Sequence, residues 1–261
     1  MYNTCKRLDI PLFEWWSETL ITIATLYCSM TKAIIVGDVH GNAPALKQVI
    51  AQEGLDPVYF ILGDIIGLAP FPQWTLSLIQ SLPNAHIIRG NHDHAVFVEG
   101  EGHVSNEELS AFEYEWNTTH TSAENQQFVR ELSPLEDVVV AGRSILLAHA
   151  RPTFANASGY KVGNRGLMKG EVLEFAPKLA PSYEYVMVGH THEQWVLDCS
   201  KFGHDITFLN PGSLGYENEY LTLDMETGAH SCEEVSYDLD VGQYLDTWAL
   251  PEGCPPASEW W

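Results

Sequence analysis

The chain has 261 residues, 45% of them hydrophobic and 18% charged, enough apolar material for one α/β domain of ordinary size and too much for a disordered chain. Its 35 Asp and Glu against 13 Lys and Arg leave a net charge of −22, which repels polyanions and disfavours nucleic acid as a partner; the same excess suits a salt-adapted or highly soluble protein. Five scattered cysteines (Cys5, Cys28, Cys199, Cys232, Cys254) form no C-x-x-C pair, and no apolar run is long enough for a membrane span, so a reducing, cytoplasmic setting without membrane contact is expected.

Residues 1–30 read as an N-terminal extension outside the compact domain, with Met30 as an alternative start, or equally as an amphipathic helix packed on that domain. Leu20–Cys28 follows Lys6 and Arg7 as an exported leader would, but Tyr27 at the processing position and Glu14 and Glu18 upstream argue against export. The domain is expected over residues 31–238. There, five short apolar runs each lead into polar, metal-capable residues. Ala33–Val36 precedes Gly37-Asp38, Val58–Leu62 precedes Gly63-Asp64, and Ile87-Ile88 precedes Arg89-Gly90-Asn91. Ile145–Ala148 precedes His149, and Val186–Val188 precedes Gly189-His190. Such runs followed by glycine predict buried strands. Helical patterns over Pro44–Gly54 and Gln73–Leu82 separate the first three, which predicts crossover connections and a largely parallel core. A helical insertion is expected over residues 105–132, with Ser105 as a cap and a second helix from Ser122 to Leu132. Trp195–Leu197, Ile206–Leu209 and Tyr220–Leu223 predict strands of a second sheet; residues 239–261 form a C-terminal tail without a predicted role.

Ligands of open α/β sheets gather at the carboxyl ends of the strands. Those ends present Asp38, His40, Asp64, Asn91, His149, His190 and His192. Carboxylate, imidazole and amide oxygens together suit Mn, Fe or Zn better than Ca or Mg. Seven groups exceed the needs of one ion and fit two. Gly37, Gly63, Gly90 and Gly189 stand directly before ligands or ligand-bearing turns, where the backbone is expected to turn sharply. Each candidate has a plainer reading. Asp38 or Asp64 alone could cap a helix, His190 and His192 could form a solvated pair, and His149 could be a core histidine. His103 and His120 are its rivals for the ligand role, while His94 and His204 read as surface residues.

The blocks Asp38-Val39-His40-Gly41, Gly63-Asp64-Ile65-Ile66-Gly67, Gly90-Asn91-His92-Asp93, the lone His149 and Gly189-His190-Thr191-His192 occur in the order found in calcineurin-like metallophosphoesterases. The sequence resembles that superfamily over residues 31 to about 224, and Asn210-Pro211-Gly212-Ser213 resembles its small bacterial branch. The resemblance implies a four-layer α/β/β/α sandwich of two mixed sheets with flanking helices. It implies two divalent ions, Mn foremost for activity in vitro. The first would be held by Asp38, His40, Asp64 and His192, and the second by Asp64, Asn91, His149 and His190, with Asp64 as the bridge. The implied activity is hydrolysis of a small phosphomonoester, phosphodiester or dinucleoside polyphosphate by in-line attack of a metal-bound hydroxide, with His92 as general acid. Asn91 and His92 would also contact the substrate. The helical insertion, lying between Asn91 and His149, is expected to sit over the site and help select that substrate.

Three departures bear on substrate choice. Gly67 stands where protein phosphatases of the superfamily carry an aspartate that partners the catalytic histidine, which makes protein dephosphorylation a poorer expectation. Arg151, in Ala150-Arg151-Pro152, could reach a substrate phosphate or could be a surface arginine. Leu214-Gly215-Tyr216-Glu217 replaces a basic ending near the mouth. A catalytically silent protein-binding module of the same fold is the alternative function; the full ligand set and His92 count against it. A DNA-processing nuclease would need a basic groove that the sequence lacks.

Overall fold

A computed structural model describes residues 32–99, 111–155, 159–162 and 165–236. Residues 1–30, the predicted cap Ser105, His103 and the tail 239–261 lie outside them. The first sheet has the order β12-β11-β1-β2-β3. It is built from β1 (Lys32–Val36), β2 (Val58–Ile61), β3 (Ala85–Ile87), β11 (Glu219–Asp224) and β12 (His230–Glu234). The second has the order β4-β5-β8-β10-β9, from β4 (Leu135–Val140), β5 (Arg143–Ala148), β8 (Tyr185–Val188), β9 (Gln194–Asp198) and β10 (Thr207–Pro211). A hairpin of β6 (Pro152–Ala155) and β7 (Gly159–Val162) stands apart.

The predicted parallel core is present twice: β1, β2 and β3 run parallel, and so do β5, β8 and β10. Tyr220–Leu223 departs from expectation. As β11 it leaves the second sheet and pairs antiparallel with β1, Lys32 opposite Asp224, so the first sheet is mixed. Its partner β12, the edge strand β4 and the β6–β7 hairpin were not anticipated.

Strand alternation makes the layers. On β1, Ala33 and Ile35 face a core shared with Ile145 and Leu147 of β5, Met187 of β8 and Leu209 of β10, which lies between the sheets. Ile34 and Val36 point the other way, into a core with α1 (Ala43–Glu53), α2 (Pro72–Gln80) and Val129 of α5 (Ala123–Glu131). On the opposite face, Leu146, Val186, Val188 and Phe208 pack against Val172, Phe175, Ala176 and Leu179 of α6 (Val172–Leu179). The result is helix, sheet, sheet, helix: the expected four-layer sandwich.

Two local features set up the site. Asn42 caps α1, its side-chain oxygen accepting from the Ala45 N–H at 3.1 Å, so Asp38 is not the cap. Of the insertion, the described part is two helices, α4 (Ala111–Thr119) and α5, the latter filling the expected span from Ser122 to Leu132, with Ser122 as its cap. Asn117 on α4 donates to the Gly67 carbonyl at 2.7 Å, and Trp116 donates to that of Pro70 at 3.2 Å. These bonds hold α4 against the loop that follows Asp64.

Candidate metal centre

The seven predicted side chains meet at one end of the sandwich, between the sheets. Asp38 and His40 follow β1, Asp64 follows β2, and Asn91 and His92 open the short helix α3 (Asn91–His94) after β3. His149 follows β5, and His190 and His192 follow β8. Asp38, His40, Asp64 and His149 are essentially buried.

Their donor atoms divide into two groups. In one, His40 Nε2 lies 3.1 Å from His192 Nε2, which lies 3.4 Å from Asp38 Oδ1. In the other, Asn91 Oδ1 is 2.8 Å from both His149 Nε2 and His190 Nδ1, and Asp64 Oδ2 is 3.3 Å from His149 Nε2. Asp64 groups both with His40 and His92 and with His149 and His190, so it stands between the two sets.

These separations fit cations. Donors about 2.1 Å from one ion lie about 3.0 Å apart around an octahedron and about 3.4 Å apart around a tetrahedron. His149 Nδ1–H donates to the Leu62 carbonyl at 2.7 Å, so Nε2 is the ring atom that faces the oxygens of Asn91 and Asp64. Buried oxygens gathered round one ring atom call for positive charge between them, which a proton on Nε2 supplies in the metal-free site and a bound cation would supply in its place.

The electrostatics reflect the same crowding. Burial pushes the His40 imidazole down to about 3, a neutral ring with a lone pair to offer. Burial alone would raise the Asp64 carboxyl, but His149, His92 and His40 outweigh it and hold the group below the usual carboxylate range. Burial opposes charge on His149 too, yet Asp64 and Asp38 raise it to about 10.

Backbone conformation singles out the same residues. Seven described non-glycine residues have positive φ, and five are candidate ligands: Asp38 (51°), His40 (50°), Asp64 (46°), His190 (71°) and His192 (55°). The left-handed region is costly for side-chain-bearing residues and marks sites whose surroundings enforce it. Here that enforcement is a backbone network. Asp38 N–H donates to Gly63 O, His40 N–H to Asp64 O, Gly41 N–H to Ile65 O and Ala69 N–H to His40 O.

The expected sharp turn holds only at Gly63, with φ of 87°. Gly37, Gly90 and Gly189 serve close approach instead: a Cβ on Gly90 would lie 2.0 Å from Asp64 Oδ1, and one on Gly189 2.8 Å from Asp38 Oδ2. Supporting residues were missed as well. Buried Asp93 accepts from the N–H groups of Ile65, Ile66 and Gly90, tying the Asp64 loop to the Asn91 turn. Its spacing, three residues after the glycine that opens α3, is the readable signal. Asn210 donates to Gly189 O and Thr191 Oγ1, bracing the loop of His190 and His192.

The other candidates fall elsewhere. His92 Nε2 is 4.0 Å from Asp64 Oδ2, its N–H donates to Asp64 Oδ1 at 2.9 Å, and its Nδ1 has no hydrogen-bond partner among the described residues. Gly67 explains that last point, since even a Cβ there would be 3.0 Å from this nitrogen. Arg151 turns to Glu171 at 3.6 Å and lies over the Phe175 ring at 4.6 Å. His120 stacks on Trp116 with centroids 3.8 Å apart, and His94 and His204 are half-buried rather than on the surface.

The protein of Pyrococcus horikoshii OT3 described as hypothetical protein PH1004 has a similar fold, with a TM-score of 0.63 at 20% identity over 85% of this chain and 94% of that one. A metallophosphoesterase from Sphaerobacter thermophilus gives 0.62 at 22% identity over 85% and 95%. No curated protein sequence matches. The sequence itself matches the calcineurin-like phosphoesterase superfamily domain over residues 31–228, most of the chain and every block that builds the cluster, and the chain therefore belongs to that superfamily.

Proposed function

We propose that the chain is a hydrolase of small phosphoesters that works with two divalent metal ions. The observation that carries this reading is the packing of seven carboxylate, imidazole and amide donors into two groups joined by Asp64, with contacts of 2.8–3.4 Å. Asp38, His40, Asp64 and His192 would hold one ion, and Asp64, Asn91, His149 and His190 the other. When bound, such ions lower the pKa of a shared water and neutralise phosphoryl oxygens; manganese is the ion to supply first.

The residues divide the remaining work. Leu62, through its carbonyl, fixes the His149 tautomer, and Asp38 accepts the His190 N–H with both oxygens, at 2.9 and 3.1 Å, which orients that ring's loop. His92 would carry a proton on Nε2 and deliver it to the leaving oxygen as the P–O bond breaks and the bond from water to phosphorus forms. With no carboxylate at Gly67 to support a charged imidazole, this acid is best matched to leaving groups that need little help. Arg151 is held by Glu171 and serves the substrate only if phosphate competes with that carboxylate.

Metal content and hydrolysis of an aryl phosphomonoester and an aryl phosphodiester, with and without manganese, test the reading. Close to two metals per chain, activity lost in Asp64→Asn, and activity lost with metal retained in His92→Asn are the expected results. A protein that stays metal-free and inactive across several metals overturns it in favour of a silent binding module.

A further inference from the structure

The mouth of the site carries an aromatic ring that the fold does not need. Tyr216 is 53% exposed, yet its ring centroid lies 5.1 Å from that of His192, tilted by 36°, and 5.7 Å from that of His40. An exposed large ring in a surface turn forgoes the burial that normally retains it. This turn is also rigid. The Tyr216 N–H donates to Ser213 Oγ at 3.1 Å, that hydroxyl donates to the Asp38 carbonyl at 3.0 Å, and the Gly215 and Leu214 N–H groups donate to Asp38 O and Gly37 O. Gly215 makes the docking possible, since a Cβ there would lie 2.9 Å from Asp38 O and 3.0 Å from His40 Cβ. The ring is thus fixed to the same loop that presents Asp38 and His40. The exposed Glu217 follows it, within electrostatic reach of both Tyr216 and His192.

We propose that Tyr216 is a stacking platform for a flat nitrogen-bearing ring one short linker away from the phosphate, so that the substrates are nucleotide-type phosphoesters. The proposal rests on the phosphoesterase reading and adds the substrate class. A phosphoryl group at the ion that His40 and His192 would hold brings an attached base towards the exposed part of the Tyr216 ring, and Glu217 offers an acceptor to an exocyclic amino group or a ring N–H. An aliphatic phosphoester would leave the ring idle. Stacking of one base on an aromatic side chain is worth roughly tenfold in affinity.

The test compares AMP, ribose 5-phosphate and phenyl phosphate as ligands of the manganese-loaded protein, by calorimetric affinity and by competition against aryl ester hydrolysis. The expected wild-type order is AMP above ribose 5-phosphate by roughly tenfold. In Tyr216→Ala and Tyr216→Leu that preference collapses towards parity, and in Tyr216→Phe it is retained. Phenyl phosphate separates the two sources of a ring: a preference for it over AMP assigns the platform to aryl phosphates and overturns the nucleotide assignment. Equal loss of AMP and ribose 5-phosphate binding in Tyr216→Ala overturns the stacking role. Failure to bind any of the three defeats the phosphoesterase reading and this proposal with it, whereas ribose 5-phosphate binding without a preference for AMP defeats this proposal alone.

Discussion

Replacing Gly90 by alanine isolates one contact on which the centre depends. The Gly90 backbone, with φ of −93°, suits alanine, so no conformational penalty enters. The added methyl carbon would sit 2.0 Å from Asp64 Oδ1 and 2.2 Å from the Asp64 amide nitrogen. Ordinary contact needs about 3.5 Å, so the two loops must separate by on the order of 1 Å. The nitrogen is main chain and cannot rotate away. Overpacking of this kind costs about 1–3 kcal/mol, out of a typical stability of about 5–15 kcal/mol. At about 2–4 °C per kcal/mol, the midpoint of unfolding falls by about 2–12 °C and the domain still folds. The site suffers more, because Asp64 reaches both donor groups and a displacement of about 1 Å can cost about 100-fold in rate. Calorimetric melting, metal content and kcat/KM on an aryl phosphoester read all three effects. Gly170→Ala is the control, since nothing lies within 4 Å of a Cβ there; it should match or slightly exceed the wild type in stability. A Gly90→Ala protein with two metals and wild-type kcat/KM would show that the approach of these loops is not what positions Asp64.

Chelation should lower the melting midpoint, because an ion at 100 times its dissociation constant adds about 2.7 kcal/mol and two ions add about twice that; a midpoint indifferent to chelator and to added manganese contradicts the centre. At His192, with φ of 55°, metal-free His192→Gly should melt above metal-free His192→Ala by about 1 kcal/mol, the reverse of the usual order for the two residues; equal midpoints would deny the backbone strain. Asn117→Ala should cost about 1–2 kcal/mol and raise KM, since it frees the Gly67 carbonyl from α4; thermal melting with steady-state kinetics checks both. Burial, then Glu217 and Glu234, raise the Glu219 carboxyl above its ordinary value, and Glu234 faces it across β11 and β12. A raised acid favours the folded state below its unfolded pKa and loses that benefit as pH rises through the folded one. Glu219→Gln should therefore melt above wild type at pH 7 and converge with it near pH 4.

The place of the candidate site was legible because each candidate ligand follows an apolar run, and strands buried on both faces leave continuous runs whatever their register. Ala33–Val36 and Val186–Val188 are of this kind. The edge strand β4 was not: Val139 is 73% exposed, and Glu136 and Asp137 make its start look like a loop. Tyr220–Leu223 reads as a strand in isolation, but its sheet is chosen by the pairing of Leu221 and Leu223 with Ile35 and Ala33, nearly two hundred residues away, which no local pattern encodes. Asp93 bonds Ile65 and Ile66 on another loop, a role that its place beside His92 in the sequence does not reveal.

The glycine pattern misled for a related reason. Glycine before a ligand suggests that glycine makes the turn, yet the left-handed conformation falls on Asp38, His40, Asp64, His190 and His192 themselves. In that conformation Asp38 and His40 can leave β1 while their side chains stay in the gap between the sheets. The neighbouring glycines let another backbone or carboxylate close to within contact, as Gly90 does for Asp64 and Gly189 for Asp38. At about 1–2 kcal/mol each, five such residues cost an amount comparable to the whole stability of a domain. The hydrogen bonds from Asp38, His40, Gly41 and Ala69 oppose that cost, and Asn91 Oδ1 and Asp64 Oδ2 both crowd His149 Nε2, at 2.8 and 3.3 Å. Cations bound by these residues would offset the cost, so the conformation that weakens the metal-free fold is also the one that prepares its candidate ligands. Metal affinity and metal-free stability should therefore move in opposite directions in this chain, and a substitution that relaxes a candidate ligand's backbone should raise stability only when metal is absent.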